Sequence, residues 1–267
     1  MTAPVDDRAL LIVGGGRMGE ALVSGLLASG RAAGDLVVAE VASSRRAELA
    51  EALPGVTIVA EPVPVGSAVL AVKPPDVPRV ARRLAEAGAR RLLSVAAGVT
   101  TGAIEHAAGR SLAVVRAMPN TPALVGAGAA AICAGSATSE KDLQWAEEIL
   151  GAVGVVVRVS EAALDSVTGL SGSGPAYVFL VAEALVEAGV LDGLPREVAE
   201  ALAYQTLLGS ARMLVEGAGS PAALRAAVTS PGGTTAAGLR ELERHGVRAA
   251  FLDAVTAAAR RSRELGG

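Results

Sequence analysis

The sequence predicts an α/β protein in which an N-terminal Rossmann-type doubly wound parallel sheet is followed by an all-α C-terminal oligomerisation domain. Two observations support this. Short apolar runs of strand length alternate with helical patterns through residues 1–160, and only helical spacing continues through residues 161–267. The composition, with 51% hydrophobic and 19% charged residues, is typical of a packed globular protein. We therefore expect two domains, residues 1–160 and residues 161–267.

The composition also argues against several classes of function. A net charge of −3 and an aromatic content of 2% provide neither a basic patch nor stacking platforms for nucleic acid. Two histidines and a single cysteine, Cys133, allow neither an intrachain disulfide nor a transition-metal cluster, and fit a reducing cytoplasm. The first ten residues lack the basic character of a signal peptide, and no uncharged, unbroken apolar run reaches ~18 residues. We expect a cytoplasmic protein without a membrane span.

A glycine-rich motif follows the first predicted strand. The apolar run Ala9–Val13 leads into Gly14, Gly16 and Gly19, and a helical pattern begins at Glu20. This is the G-x-G-x-x-G spacing in the strand–turn–helix setting of a dinucleotide-binding site. The first glycine makes a tight turn, the second lets the backbone approach a pyrophosphate, and the third lets the helix pack against the strand.

The end of the second predicted strand, Leu36–Ala39, leaves the cofactor's phosphate state open. Glu40 lies about 20 residues beyond Gly19, where an acidic residue binds the adenosine ribose 2′-hydroxyl, and this favours NAD(H). However, the serines and arginines of residues 43–46 could hold the 2′-phosphate of NADP(H). Alternatively, the two arginines belong to the solvated face of the next helix.

Further apolar runs complete the predicted sheet. They are Val56–Ala60, Ala68–Val72, Leu92–Ala96, Leu112–Val115 and Val153–Val159. Ligands of a doubly wound sheet lie outside the carboxyl ends of its strands, so we expect Lys73-Pro74 and Ala97-Gly98 to face the same crevice as the glycine motif. The segment Arg116–Pro122 forms another turn at that edge, and Thr138–Leu150 reads as a helix.

Helical patterns alone fill the C-terminal part. They cover Ala162–Gly169, Pro175–Gly189, Pro195–Glu216, Pro221–Val228, Ala236–Arg244 and Arg248–Leu265. Because several are apolar on more than one face, a monomer would expose too much apolar surface, and we expect an oligomer that shares these helices. The small residues Leu170–Pro175 are either a simple helix break or a close-packed wall beside the cofactor.

The loop Thr229–Thr235 has the composition of an anion site. Two glycines, a proline and four hydroxyl residues precede a helix, whose first N–H groups and dipole can hold a carboxylate or phosphate. The same residues also suit an ordinary helix N-cap. Oxidising a hydroxyl needs a lysine or histidine base, but the helical half has no lysine, and His106 and His245 both lie at predicted helix ends. Reducing a cyclic imine needs less: orientation, a carboxylate clamp and one hydroxyl at nitrogen.

Six stretches of the chain together resemble the pyrroline-5-carboxylate reductases, the last enzyme of proline biosynthesis. They are GGGRMG at 14–19, AVKP at 71–74, AAGV at 96–99, MPNTP at 118–122, DSVTGLSGSGPAY at 165–177 and LRAAVTSPGGTTAAGLRELE at 224–243. The resemblance runs essentially end to end, and the last stretch is its most specific part. With the glycine motif, it identifies a set of cofactor-binding candidates. They are Val13, Gly14, Gly15, Gly16, Arg17, Met18, Gly19, Glu40, Ala71, Val72, Lys73, Pro74, Ala97 and Asn120.

The resemblance also implies the substrate site and the assembly. Ser230, Gly232, Gly233 and Thr234 would hold the substrate carboxylate, Thr235 would hydrogen-bond the ring nitrogen, and Glu161 is a further substrate-side candidate. The helical domains would interlock in a homodimer in which this loop completes a site with the partner's cofactor domain, and such dimers can assemble into decamers. The family slightly favours NADP(H). Glu40, and the lack of an Asn near Ala60-Glu61, depart from its pattern and leave NAD(H) open.

The expected activity is hydride transfer from NADPH or NADH to 1-pyrroline-5-carboxylate, giving L-proline. Two alternatives accompany it. One is a reductase of another cyclic imino acid, such as the six-membered homologue. The other is a non-catalytic dinucleotide-binding protein, against which the retained loop at 229–235 argues.

Overall fold

The structure is a computed structural model that describes residues 6–266. Its strands are β1 (Asp6–Val13), β2 (Leu36–Ala39), β3 (Thr57–Val59), β4 (Val65–Leu70), β5 (Arg91–Ser94), β6 (Ala113–Met118), β7 (Gly128–Ala134) and β8 (Gly154–Arg158). Its α-helices are α1 (Arg17–Ala28), α2 (Ser43–Ala52), α3 (Val77–Glu86), α4 (Thr101–Ala108), α5 (Glu140–Gly151), α6 (Leu164–Val167), α7 (Gly174–Leu191), α8 (Arg196–Val215), α9 (Pro221–Ala227), α10 (Thr234–Arg244) and α11 (Val247–Gly266).

One eight-stranded sheet organises the N-terminal part in the order β3-β2-β1-β4-β5-β6-β7-β8. All neighbouring pairs are parallel except β6 and β7. The strand order reverses between β1 and β4, so their carboxyl ends form the switch point at which such sheets bind ligands. The predicted Rossmann-type fold is confirmed.

The central strand β1 is buried on both faces, as its unbroken apolar run predicts. Leu10 and Ile12 belong to the hydrophobic cluster on one face, and Leu11 and Val13 to the cluster on the other. All four side chains are at most 5% exposed. The turn that follows β1 is therefore attached to a strand that is packed on both faces of the sheet.

Strand β7 was not predicted from the sequence, and it makes the sheet mixed instead of wholly parallel. It runs antiparallel to β6, with Cys133 opposite Arg116. The reason for the error is compositional: four of its seven residues are alanines, and alanine has little β propensity. The other predicted strands are present with ends shifted by a few residues.

The helical patterns of the C-terminal part are confirmed as α7 to α11. Before them, residues 161–172 form a one-turn 3₁₀ helix, α6 and a π-helical turn at Thr168–Gly172. The chain packs as two compact units. One extends to Ser173 and also includes the chain from Ala257 onwards, and the other is Gly174–Thr256. The domain boundary at 160/161 stays a prediction.

The unit Gly174–Thr256 exposes large apolar side chains along its helices when the chain is taken alone. Phe179 and Leu180 on α7 are 61% and 64% exposed, and Leu252 on α11 is 70% exposed. One described helical stretch, Glu161–Leu191, is long and apolar enough to cross a membrane by length and composition, and an 18-residue window within it has a mean hydropathy of 1.5. The sequence criterion did not select it because the stretch contains acidic residues and Pro175.

Candidate active site

The glycine-rich turn joins the carboxyl ends of β1, β2 and β4. Gly14 N–H donates to the Ala39 carbonyl at 2.8 Å, and Ala71 N–H donates to the Val13 carbonyl at 2.8 Å. Gly14 has φ +105°, and a Cβ there would lie 2.5 Å from the Ala71 carbonyl oxygen. Both facts require glycine, because an L side chain strains this backbone and collides with β4's continuation.

A cavity of about 490 Å³ lies beside this turn, within the unit that contains the sheet. Seven of the predicted cofactor-binding residues line it: Val13, Gly14, Gly16, Glu40, Ala71, Val72 and Lys73. Nine further residues complete its lining: Ala39, Val41, Ala60, Glu61, Pro62, Asp76, Arg79, Val80 and Arg83. The sequence reasoning missed the residues of α3 in this set, although the helix begins soon after Lys73-Pro74.

The turn fits the phosphates of a dinucleotide. Gly16 is exposed, and a Cβ there would meet nothing within 4 Å, so the backbone leaves open space at the second motif glycine. Gly16 is also the N-cap of α1 and makes no side-chain cap hydrogen bond. The first N–H groups of α1 can therefore donate hydrogen bonds to an anion, as helix N-termini do in dinucleotide sites.

The remaining predicted cofactor residues lie around the turn or farther along the sheet edge. Gly15 and Gly19 are buried, Met18 packs against the sheet's hydrophobic core, and Arg17 is exposed. Pro74 and Ala97 are also exposed, after β4 and β5 respectively. Only seven of the fourteen predicted residues line the cavity itself, so a direct role for the others stays a prediction.

Asn120 braces the sheet edge through both ends of its amide. Its Oδ1 accepts from Ala129 N–H at 2.8 Å, and its Nδ2 donates to the Ser171 carbonyl at 3.0 Å. Ser171 belongs to the π-helical turn, where Gly172 packs so tightly against Met118 that a Cβ would lie 2.6 Å from the Met118 methyl carbon. Of the segment predicted as either a helix break or a packed wall, residues 170–172 end a π turn held against the end of β6 and residues 174–175 begin α7, while a place beside the cofactor stays a prediction.

Glu40 is fixed at the cavity rim by two backbone groups. Its Oε2 accepts from Gly15 N–H and its Oε1 from Ala42 N–H, both at 2.9 Å. A carboxylate has further lone pairs, so Glu40 can still accept a hydrogen bond from a ribose hydroxyl. The two following arginines are engaged elsewhere: Arg45 with Glu20, Glu48 and the Gly15 carbonyl, and Arg46 with the carbonyls of residues 40 and 41.

Glu161, which the sequence predicts as a substrate-side residue, accepts three hydrogen bonds from within its own chain. Its carboxylate accepts from Thr101 N–H at 2.8 Å, from Thr101 Oγ1 at 2.7 Å and from Arg116 Nη1 at 3.0 Å. Burial by itself would raise the pKa of Glu161, but the hydrogen bonds from Thr101 and Arg116 outweigh it and hold the pKa below its ordinary value. Through these contacts Glu161, the first residue of the 3₁₀ helix at 161–163, links the start of α4 to Arg116 on β6.

The loop at 229–235 has the backbone predicted for a helix N-terminus. Gly232 has φ +71°, Gly233 is the N-cap of α10, and no side chain among the described residues caps this helix. The Ser230 hydroxyl lies over Gly233, where a Cβ would be 2.3 Å from its oxygen. Thr234 is exposed and Thr235 is half-buried. The loop therefore presents uncapped N–H groups and hydroxyls in a short space.

Comparisons with known proteins place the chain in a family. Residues 161–265 match the family model described as pyrroline-5-carboxylate reductase dimerisation, and residues 9–98 match the one described as NADP oxidoreductase, coenzyme F420-dependent. The pyrroline-5-carboxylate reductase of Mycobacterium tuberculosis is 47% identical, over 96% of this chain and 96% of its own length. The chain belongs to the pyrroline-5-carboxylate reductase family.

Solved structures of this reductase family agree over the whole chain. The enzyme from Coxiella burnetii has a TM-score of 0.92 and 38% identity, and covers 98% of this chain and 100% of its own. The Plasmodium falciparum enzyme, solved with NADP bound, has a TM-score of 0.84 and 29% identity over 99% of this chain and 100% of its own. The family and the glycine-rich turn together establish a nicotinamide dinucleotide as the cofactor class, and the dimerisation match supports an oligomer.

Proposed function

We propose that the chain reduces 1-pyrroline-5-carboxylate to L-proline with NADPH or NADH. The observation that carries the proposal is the loop at 229–235, because its uncapped helix N-terminus suits the carboxylate of a small imino acid. The family relationship over 96% of the chain supports the same substrate class. His106 and His245 are both exposed at helix ends, which is a poor setting for the base that hydroxyl oxidation needs.

The residues of the loop would divide the work between binding and orientation. The backbone N–H groups of the first turn of α10, with the Ser230 and Thr234 hydroxyls, would hold the substrate carboxylate. The half-buried Thr235 hydroxyl would donate a hydrogen bond to the ring nitrogen and thereby keep the C=N bond in a fixed orientation. The bound reduced nicotinamide would supply the hydride to the carbon of the C=N bond, and the Thr235 hydroxyl would pass its proton to the ring nitrogen and regain one from water.

A homodimer would supply the second half of each site. The apolar side chains of α7 and α11 need a partner, and the matched family model is named for dimerisation. We propose that Glu161–Leu191 packs in this dimer and not in a bilayer, because Glu183 and Glu187 on α7 would be costly in lipid. Further assembly to a decamer, a cytoplasmic location and the absence of a nucleic-acid partner complete the proposal.

On the cofactor, we propose that the protein uses both reduced dinucleotides and that Glu40 weakens the binding of NADPH relative to NADH. The NADP-bound relative supports NADPH use. Glu40, held by Gly15 and Ala42, places a fixed negative charge where the adenosine ribose is expected, and that charge opposes a 2′-phosphate. The hydrogen bonds of Arg45 go to Glu20, Glu48 and the Gly15 carbonyl, and those of Arg46 go to the carbonyls of residues 40 and 41, so neither guanidinium is directed at a 2′-phosphate.

An initial-rate assay tests the function. The purified protein is mixed with 1-pyrroline-5-carboxylate and each reduced dinucleotide in turn, and the loss of reduced-nicotinamide absorbance is followed. The six-membered imino acid is the matched comparison substrate. The proposal expects oxidation of the cofactor and a higher kcat/KM for the five-membered ring. Absence of oxidation with either cofactor refutes the reductase, and a preference for the six-membered ring reassigns its substrate.

A further inference from the structure

Gly15 is held by the segment that follows β2 through both of the peptide groups that it joins. Its N–H donates to Glu40 Oε2 at 2.9 Å, and its carbonyl accepts from Arg45 Nε at 2.8 Å. Gly15 is the middle residue of the run Gly14–Gly16, between the two glycines that line the cavity. Glu40 thus holds the Gly14–Gly15 peptide group of the phosphate-binding turn, and Arg45 holds the Gly15–Gly16 peptide group.

Arg45 is itself anchored at each of its three guanidinium nitrogens. Besides the bond from Nε to the Gly15 carbonyl, Nη1 donates to Glu48 at 2.8 Å and Nη2 donates to Glu20. Glu20 lies in the first turn of α1 and Glu48 on α2. The Arg45 side chain is 27% exposed, so this fork links the turn to two helices near the surface.

Gly15 also packs closely against α2 and Glu40. A Cβ at Gly15 would lie 2.4 Å from a methyl carbon of Leu49 and 3.2 Å from the Glu40 Cβ. Leu49 is fully buried on α2. The backbone of the turn therefore packs directly against α2 at Gly15, and this contact limits the orientations that the two neighbouring residues can adopt.

We infer that Arg45 is a positioning residue for the dinucleotide's pyrophosphate and not a ligand for a 2′-phosphate. By fixing the Gly15–Gly16 peptide group through its carbonyl, it sets the direction of the Gly16 N–H, which an anion in the turn would use. The pyrophosphate is common to NADH and NADPH, so Arg45 supports both equally. The inference rests on the proposed function only in taking a nicotinamide dinucleotide as the ligand.

Direct titration of the intact protein tests this inference. The dissociation constants of NADH, NADPH and ADP-ribose are measured by calorimetry, without substrate, for wild type and Arg45→Met. The expected result is a rise in Kd of roughly 10-fold, by the same factor for all three ligands, as loss of a hydrogen bond from a charged donor predicts. At saturating NADH, kcat should stay unchanged while the KM for NADH rises.

Three companion variants keep the test decisive. Arg45→Lys should recover part of the affinity, since an ammonium can reach one of the three acceptors but not all. Glu20→Gln, which leaves Arg45 in place, should raise Kd uniformly by about threefold. Glu51→Gln is the control: this glutamate is exposed on the same helix α2 and lies outside the fork that holds Arg45, so Kd should stay within about twofold of wild type.

Two results would overturn the inference. Weakened NADPH binding with unchanged NADH and ADP-ribose binding would make Arg45 a 2′-phosphate ligand. Unchanged binding of all three by a folded Arg45→Met protein would remove the residue from cofactor binding. These titrations need no imino acid, so their results can be interpreted even if the protein does not catalyse the proposed reaction.

Discussion

Replacing Glu161 tests whether this carboxylate is a structural brace or a substrate contact. It receives three hydrogen bonds, two from Thr101 and one from Arg116. The Arg116 side chain is 10% exposed and that of Glu161 is 31% exposed. Glu161→Ala would therefore leave a nearly buried guanidinium without its carboxylate, and the start of α4 without an acceptor for Thr101.

The expected loss of stability follows from these contacts. Breaking a fully buried ion pair from one side costs about 3–5 kcal/mol. Because water reaches part of Glu161, we expect about 2 kcal/mol for Glu161→Ala, and about 1 kcal/mol for Glu161→Gln, which keeps an acceptor for Thr101. For a chain of this size, the former corresponds to a fall in Tm of roughly 4–8 °C.

The assay is urea and thermal unfolding at one fixed protein concentration, since dimer formation adds to apparent stability. The pH dependence gives a second readout. The folded pKa of Glu161 lies below its ordinary value of 4.5, so its contribution is present above pH 4.5 and is lost as pH falls through the folded pKa. The difference between wild type and Glu161→Gln should therefore shrink as pH falls below about 4.5.

A substrate contact would behave differently. If Glu161 binds the imino acid directly, Glu161→Gln should raise the substrate KM while Tm and the urea midpoint stay at wild-type values. That outcome, or a stability difference that does not change between pH 7 and pH 3, would refute the structural role of Glu161.

Three other residues give independent predictions. Thr235→Ala should lower kcat by roughly 10- to 100-fold, with recovery in Thr235→Ser, and equal kcat in all three proteins would remove the hydroxyl from the reaction. Glu40→Gln should raise the ratio of kcat/KM for NADPH over NADH by roughly 5- to 10-fold, because a fixed negative charge is lost, and an unchanged ratio would contradict its role in cofactor choice. Burial raises the pKa of the Cys133 thiol to about 11, so a thiol reagent at pH 8 should label it slowly in the native protein and rapidly in urea, whereas rapid native labelling would contradict its burial.

Local patterns in the sequence predicted most of the architecture. The run Ala9–Val13 followed by spaced glycines located β1, its turn and α1, because buried parallel strands and phosphate turns each have a short-range pattern. The helices α7 to α11 also followed from spacing alone. Strand β7 did not, since its alanines suit a helix as well as a strand and its place is set by pairing with β6.

The candidate site was predicted less completely, because its contacts connect distant parts of the chain. Thr101 and Glu161 are 60 residues apart, and no local pattern indicates that one would bind the other. Arg45 read equally well as a phosphate ligand or a solvated residue, and the structure shows it bound to the Gly15 carbonyl instead. The loop at 229–235 was the exception, since its glycines and hydroxyl residues mark a helix N-terminus within seven positions.

Product analysis tests the central claim most directly. The protein is incubated with 1-pyrroline-5-carboxylate and a limiting amount of reduced dinucleotide, and the amino acid formed is identified and quantified by chiral chromatography. The account predicts L-proline in an amount equal to the dinucleotide oxidised. Dinucleotide oxidation without L-proline, or no reaction at all with folded protein, would contradict it.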